Sequence, residues 1–167
     1  SAVLTLPDSI AWLLNIRGSD IEKNPVPHCF AILHNNGHLS LFAEDQKCDA
    51  TLEAHLGPGV TLRPVNAFGA ALRSLTGPVR VDRKSAPIWV EQQLNDAGVA
   101  IHWATDPCVL PKACKNSTEI ANATEAHLRD GAAMIEFLTW LDAEAPKNQL
   151  TEIDVVTKLE GFRRATN

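Results

Sequence analysis

Apolar residues come in short runs separated by turn residues over the first two thirds of the chain, and at helical spacing over the last third. Ile10 to Ile16 (IAWLLNI) is a nearly unbroken apolar run and predicts a buried strand. A loop follows from Arg17 to Pro27, punctuated by Gly18, Pro25 and Pro27. His28 to His34 predicts a second strand and His38 to Ala43 its return. Between them, Asn35-Asn36-Gly37 predicts a hairpin turn, because Asn-Gly reaches positive φ at little cost. Asp49 to Leu56 predicts a short helix stopped by Gly57-Pro58-Gly59. Val60 to Val65 is a strand, then Asn66 caps a helix from Ala67 to Leu75 that Gly77-Pro78 ends. Val79 to Asp82 is a strand. The next helix opens at Pro87, where a missing N–H costs nothing, and runs to Ala97 before Gly98 stops it. Val99 to Trp103 is the last strand. The expected fold class is α/β, with helices on the faces of a sheet that the opening hairpin makes mixed.

The pattern changes near residue 115. Asp106 to Lys115 is a connector broken by Pro107 and Pro111, and beyond it no strand pattern recurs. Asn116 with Glu119 predicts a capping box. Ile120, Ala123, His127, Met134, Phe137, Leu138 and Leu141 then fall on one helical stripe, which Pro146 ends. Leu150-Thr151 opens a second helix with Asp154 at its third position, and Leu150 with Val155 is spaced for a hydrophobic staple. Two domains are expected: residues 1–115, and a two-helix segment over 116–167.

Composition excludes several classes of function. Fifteen Lys or Arg against twenty Asp or Glu leave a net charge of −5. The pI is near 5.6 and no basic stripe exists, which argues against nucleic acid. No apolar run approaches the ~18 residues of a membrane span. The acidic excess lies in the tail: residues 1–115 carry 10 basic and 11 acidic side chains, residues 116–167 carry 5 and 9. The opening SAVLTLPDSIAWLL has no basic segment or cleavage site of a secretory signal and no initiator Met, so a cytoplasmic chain, processed or cut from a longer one, is expected. Cys29, Cys48, Cys108 and Cys114 form no CxxC and read as reduced thiols. The acceptors Asn116-Ser-Thr and Asn122-Ala-Thr sit in predicted helix and read as incidental.

Candidate chemistry is sparse. His28, Cys29, His34 and His38 cluster around the hairpin, but His28 and His34 would stand about 20 Å apart along a strand, too far for one ion. No nucleophile motif and no phosphate loop appear. Glu44-Asp45 and the carboxylates Glu119, Glu125, Asp130 and Glu136 read as solvated. The Arg17–Pro27 loop is the most suggestive segment, since loops at strand ends bind ligands in α/β sheets and Arg17 suits a carboxylate or phosphate.

At this loop the sequence resembles the longer, cytosolic Xaa-Pro aminopeptidases (aminopeptidase P). The residues are Ile10-Ala-Trp-Leu-Leu-Asn-Ile-Arg-Gly-Ser-Asp20 with Asn24-Pro-Val26, then Leu110-Pro-Lys-Ala-Cys-Lys-Asn116, then Ala126-His-Leu-Arg-Asp-Gly-Ala-Ala133, Thr151-Glu-Ile and Lys158-Leu-Glu-Gly-Phe-Arg-Arg164. They run in the family's order and cover nearly the whole chain. Pro27-His28-Cys29 departs from the family's aromatic-rich continuation after Asn-Pro-Val, and Cys114 stands where a basic residue is often seen.

The resemblance implies that residues 1–115 form a creatinase-like amino-terminal domain, and that residues 116–167 begin a "pita-bread" catalytic domain. It implies hydrolysis of the bond before a penultimate proline by two divalent metal ions, usually manganese, in the full-length parent. The family's ligands, two Asp, one His and two Glu, lie beyond Arg164, so this chain is expected to hold no metal and to be inactive alone. Arg17, Asn24 and His28 become candidates for residues facing the substrate cleft. The implied partners are proline-containing peptides and further copies of the chain in a homo-oligomer. The alternative reading is a non-catalytic self-association or protein-interaction module.

Overall fold

The computed structural model describes residues 1–147 and 149–166. The first unit, Ser1–Cys114, is built on a six-stranded sheet. Its strands are β1 (Ala2–Leu4), β2 (Phe30–Leu33), β3 (Leu39–Ala43), β4 (Val60–Pro64), β5 (Val79–Val81) and β6 (Ile101–Trp103), in the spatial order β4-β3-β2-β1-β5-β6. β2 pairs antiparallel with both neighbours, Val3 facing Ile32 and Ala31 facing Leu41. The pairs β1–β5, β3–β4 and β5–β6 are parallel. The sheet is therefore mixed, with β2 running against the other strands.

Alternation along the strands divides the core in two, because successive side chains leave a strand on opposite faces. Val3, Ile32, Phe42, Val79 and Val81 pack with Phe68 and Leu72 of α3 (Phe68–Arg73) and with Val90 and Leu94 of α4 (Ile88–Asp96). Leu4, Ala31, Leu39, Leu41 and Ala43 face the other way, against Ile10 of α1 (Pro7–Leu14) and Cys108, with Leu52 and Leu56 of α2 (Ala50–Leu56) at the edge. A short helix, α5 (Val109–Ala113), lies within the Asp106–Lys115 connector.

The predicted strand over Ile10–Ile16 is a helix. Pro7 occupies its first turn with Asp8 beside it, and Ser9, Ile10 and Ala11 are its buried residues. A short apolar run fits either conformation, and the proline at the start decides for helix. The strand of this region is instead Ala2–Leu4, all three residues buried between β2 and β5. Asn66 does not cap the next helix; Val65–Ala67 is a 3₁₀ turn, and Ala67 precedes α3 with no side-chain cap. Other signals stand where the sequence puts them. The Asn-Gly turn joins β2 to β3 with Gly37 at φ 83°. Asp49 caps α2, its Oδ1 accepting from the Leu52 N–H at 2.7 Å.

The second unit, from Lys115 on, is a helical pair. α6 (Ser117–Glu144) begins at a capping box in which Asn116 Oδ1 accepts from the Glu119 N–H and Glu119 Oε2 from the Asn116 N–H, each at 2.9 Å. The Asn116 carboxamide is thereby engaged. α7 (Glu152–Thr166) opens with Asp154 Oδ2 accepting from the Thr151 N–H. The two helices are tied by Arg163 to Asp130 at 2.8 Å. The predicted stripe on α6 is only partly covered. Phe137 is buried and Met134 and Leu141 are half-buried, whereas Ile120, Ala123, His127 and Leu138 are exposed; Ala133, off the stripe, is buried. Fifteen residues of α7 against 28 of α6 explain the exposure of Ile120, Ala123 and His127, since at ~1.5 Å per residue the shorter helix spans about half the longer; Leu138, one residue past buried Phe137, is turned about 100° away from it around the helix.

Candidate functional site

The segment between α1 and β2 folds into a tied loop. α1 stops because Asn15 adopts left-handed backbone (φ 50°), which Asn tolerates; the Ile16 N–H then reaches back to the Ala11 carbonyl at 3.0 Å. Gly18 lies so close to the returning chain that a Cβ would stand 2.7 Å from the Pro27 Cα. Its N–H donates to the Pro25 carbonyl at 3.3 Å. The tip is a tight turn, with the Asn24 N–H on the Ile21 carbonyl at 3.1 Å and Lys23 at φ 62°.

Asp20 closes the loop. Its Oδ2 accepts from the His28 N–H at 2.6 Å and from Lys47 Nζ at 2.9 Å. Lys47 also lies 3.3 Å from Glu44. The Lys47 ammonium and the His28 N–H hold the Asp20 carboxyl below its ordinary range, and Asp20 in turn raises Lys47. Sequence reading missed this latch. Its two ends are 27 residues apart, and the neighbouring Glu44-Asp45 pair reads from sequence as a solvated turn.

Beside the loop lies a cleft of about 480 Å³. One wall is the Asn15–Asp20 segment; Leu41 and Ala43 of β3 and Leu52 and His55 of α2 form the others. His55 Nε2 donates to the Leu14 carbonyl at 3.0 Å, which ties α2 to the end of α1. Cys29, buried at the cleft, has its thiol pushed up to about 11 by burial, as has Cys108. Neither is poised as a thiolate nucleophile.

The three candidate residues separate. Arg17 lines the cleft, exposed, with Nη1 donating to the Ile16 carbonyl at 2.9 Å. Asn24 is half-buried in the tip, outside the cleft. His28 gives its backbone N–H to Asp20 while its side chain is exposed.

A dinuclear metal centre does not fit these residues. Among the described residues no three His, Cys, Asp or Glu side chains converge to hold an ion. His34 and His38 face one another across the hairpin, ring centroids 6.1 Å apart, but each bonds a hydroxyl: His34 Nε2 with Ser40 Oγ at 3.2 Å, His38 Nε2 with Thr61 Oγ1 at 2.9 Å. Elsewhere, two buried acids tie the ends of β5 and β6. Asp82 accepts from the N–H groups of Lys84 and Asp106, each at 2.9 Å, and Asp106 Oδ1 from that of Cys108 at 2.7 Å. No described helix is long and apolar enough to cross a membrane.

Comparison with known proteins agrees with the fold. Residues 1–119 match the model of the creatinase/prolidase N-terminal domain. The chain is 33% identical over 175 residues to "Xaa-Pro aminopeptidase 1" of Dictyostelium discoideum, covering 97% of this chain and 26% of that protein. It is 35% identical over 175 residues to a "Probable Xaa-Pro aminopeptidase P" of Aspergillus fumigatus, covering 96% and 26%. The chain thus spans about a quarter of the length of the curated relatives it matches. The crystal structure of the prolidase from Pyrococcus horikoshii OT3 shares the fold, with a TM-score of 0.57 at 12% identity over 99% of this chain and 44% of that one.

Proposed function

Since the chain belongs to the creatinase/prolidase N-terminal domain family, we propose that it is the amino-terminal, non-catalytic part of a metal-dependent Xaa-Pro aminopeptidase, a cytoplasmic hydrolase that removes the residue preceding a proline. The observation that carries this reading is 33% identity to an Xaa-Pro aminopeptidase over 97% of the chain. On this reading the metal ions, manganese by family resemblance, bind elsewhere in the full-length protein, and the α6–α7 pair begins the catalytic domain. The Arg17 loop faces the proline-containing peptide. Its tied geometry supports that role, because Asp20, Gly18 and the Ile21–Asn24 turn fix where Arg17 and His28 stand.

The test is Arg17→Ala in the full-length enzyme. The expected result is a several-fold change in KM or kcat for an Xaa-Pro peptide, with the fold unaltered. An unchanged profile removes the loop from the substrate path.

A second reading, self-association, is favoured by one observation: Ile120, Leu128, Ile135 and Leu138 of α6 and Ile153 and Val156 of α7 are exposed. It predicts a concentration-dependent dimer in sedimentation velocity that Leu128→Glu with Ile135→Glu abolishes. A monomer at every concentration removes it.

A further inference from the structure

The cleft beside the latched loop falls in the usual size range of a ligand site, about 300–1,000 Å³, and sets apolar surface beside polar side chains. Ile16, Cys29, Leu41 and Leu52 give it its apolar surface. Four charged side chains line it: Arg17, Asp20, Lys47 and Asp49. Three are already engaged. Lys47 lies between Asp20 and Glu44, and Asp20 also holds the His28 N–H. Asp49 caps α2 through the Leu52 N–H.

Arg17 differs. Its Nη1 donates to the Ile16 carbonyl, and among the described residues no carboxylate pairs with it. A guanidinium carries five N–H donors in a planar fork and does not lose its charge. The cleft thus offers an apolar surface and one spare cationic fork. That combination suits a singly charged planar anion on an apolar body. A phosphate dianion would ask for a second free cation, and Lys47 is committed.

We propose that this cleft binds the C-terminal end of a short peptide, its carboxylate on the Arg17 guanidinium and its last side chain against Ile16, Leu41 and Leu52. The apolar-carboxylate chemistry stands on the cleft alone. That the carboxylate belongs to a peptide rests on the peptidase reading above.

The experiment is an NMR titration of the chain with the tripeptide Gly-Pro-Leu as the free acid and as its C-terminal amide. The free acid is expected to shift the resonances of Ile16, Leu41 and Leu52, and the amide to bind about tenfold more weakly or worse, as loss of a charge-assisted hydrogen bond implies. Arg17→Gln, an exposed change that leaves the core intact, should bring the free acid down to the affinity of the amide and leave the amide unchanged. Equal affinity for acid and amide, shifts confined to other residues, no effect of Arg17→Gln, or no binding of either up to about 10 mM each overturns the proposal. Arg17→Gln in the full-length enzyme separates the two readings. Peptide binding to the chain with unaltered turnover keeps this inference and sinks the loop's role in the reaction; altered turnover without peptide binding does the reverse.

Discussion

Single residues in the Arg17–Pro27 loop have sharply different consequences. Gly18 has no room for a Cβ, and the obstacle is the backbone of Pro27. Gly18→Ala is expected to destabilise the first unit by about 1–3 kcal/mol, read as a lower urea midpoint with an unchanged slope. Asp20 is held ionised by Lys47 and the His28 N–H, so its folded-state pKa lies below its ordinary 3.8. A depressed carboxyl contributes stability above the unfolded value and loses it as pH falls through the folded value. Lys47, raised above 10.5, sets the opposite limit. Asp20→Asn should therefore speed tryptic cleavage after Lys23 several-fold at pH 8, and its Tm difference from wild type should close below about pH 4. The thiols give a third residue-scale outcome. Cys29 and Cys108, pushed up to about 11, hold roughly one thiolate in a thousand at pH 8, whereas Cys114 is exposed. Iodoacetamide at pH 8 should label Cys114 first and leave Cys29 and Cys108 until the chain is unfolded, by mass spectrometry of the peptides.

At the level of elements, what the sequence revealed follows from whether a signal was local. Asn36-Gly37 and the Asn116/Glu119 box each complete their hydrogen bonds within a few residues and stand in the structure as read, and Asp49, read as the first residue of a helix, is its cap. Strand β1 has three residues, too few to display a period of two, and it owes its existence to Leu33, Ile32 and Arg80 on neighbouring strands. With β1 unseen, the apolar run after Pro7 was the nearest substitute for a strand. The site was legible in the same measure. Arg17 could be picked out by charge and loop position, but its cleft depends on Leu41, Leu52 and His55, which lie 24, 35 and 38 residues further along the chain. The Asp82–Asp106 tie was equally invisible, joining carboxylate and N–H across 24 residues. Asp82→Ala would strand the N–H groups of Lys84 and Asp106, the latter buried. Hydrogen bonds to charged groups contribute about 1.5–3 kcal/mol each, so a loss of roughly 3 kcal/mol is expected in chemical unfolding, with Asp82→Asn costing less.

Across the whole molecule, burial is distributed unevenly, and local stability should follow it. The first unit has core on both faces of its sheet; Leu4, Ala31, Ile32, Phe42, Val79 and Val81 are 0% exposed. In the second unit the buried described residues are Ala133 and Phe137 of α6, and α7 has none. Opening free energy scales with the apolar contacts that must be broken, so the two units should not exchange their amide hydrogens alike. Amides of β1, β2, β3 and β5 are expected to be the slowest in the chain. Those of α7, whose apolar residues are at most half-buried, at Val155, Leu159 and Phe162, should exchange at least about a hundredfold faster, a gap of about 2.7 kcal/mol. Hydrogen-exchange mass spectrometry on the whole chain at pH 7 reads both at once. Equal protection of α7 and β1 would mean that the exposed residues Ile153 and Val156 are covered in solution, and a dilution series would then tell self-association, which loses that protection, from a covering within one chain, which keeps it.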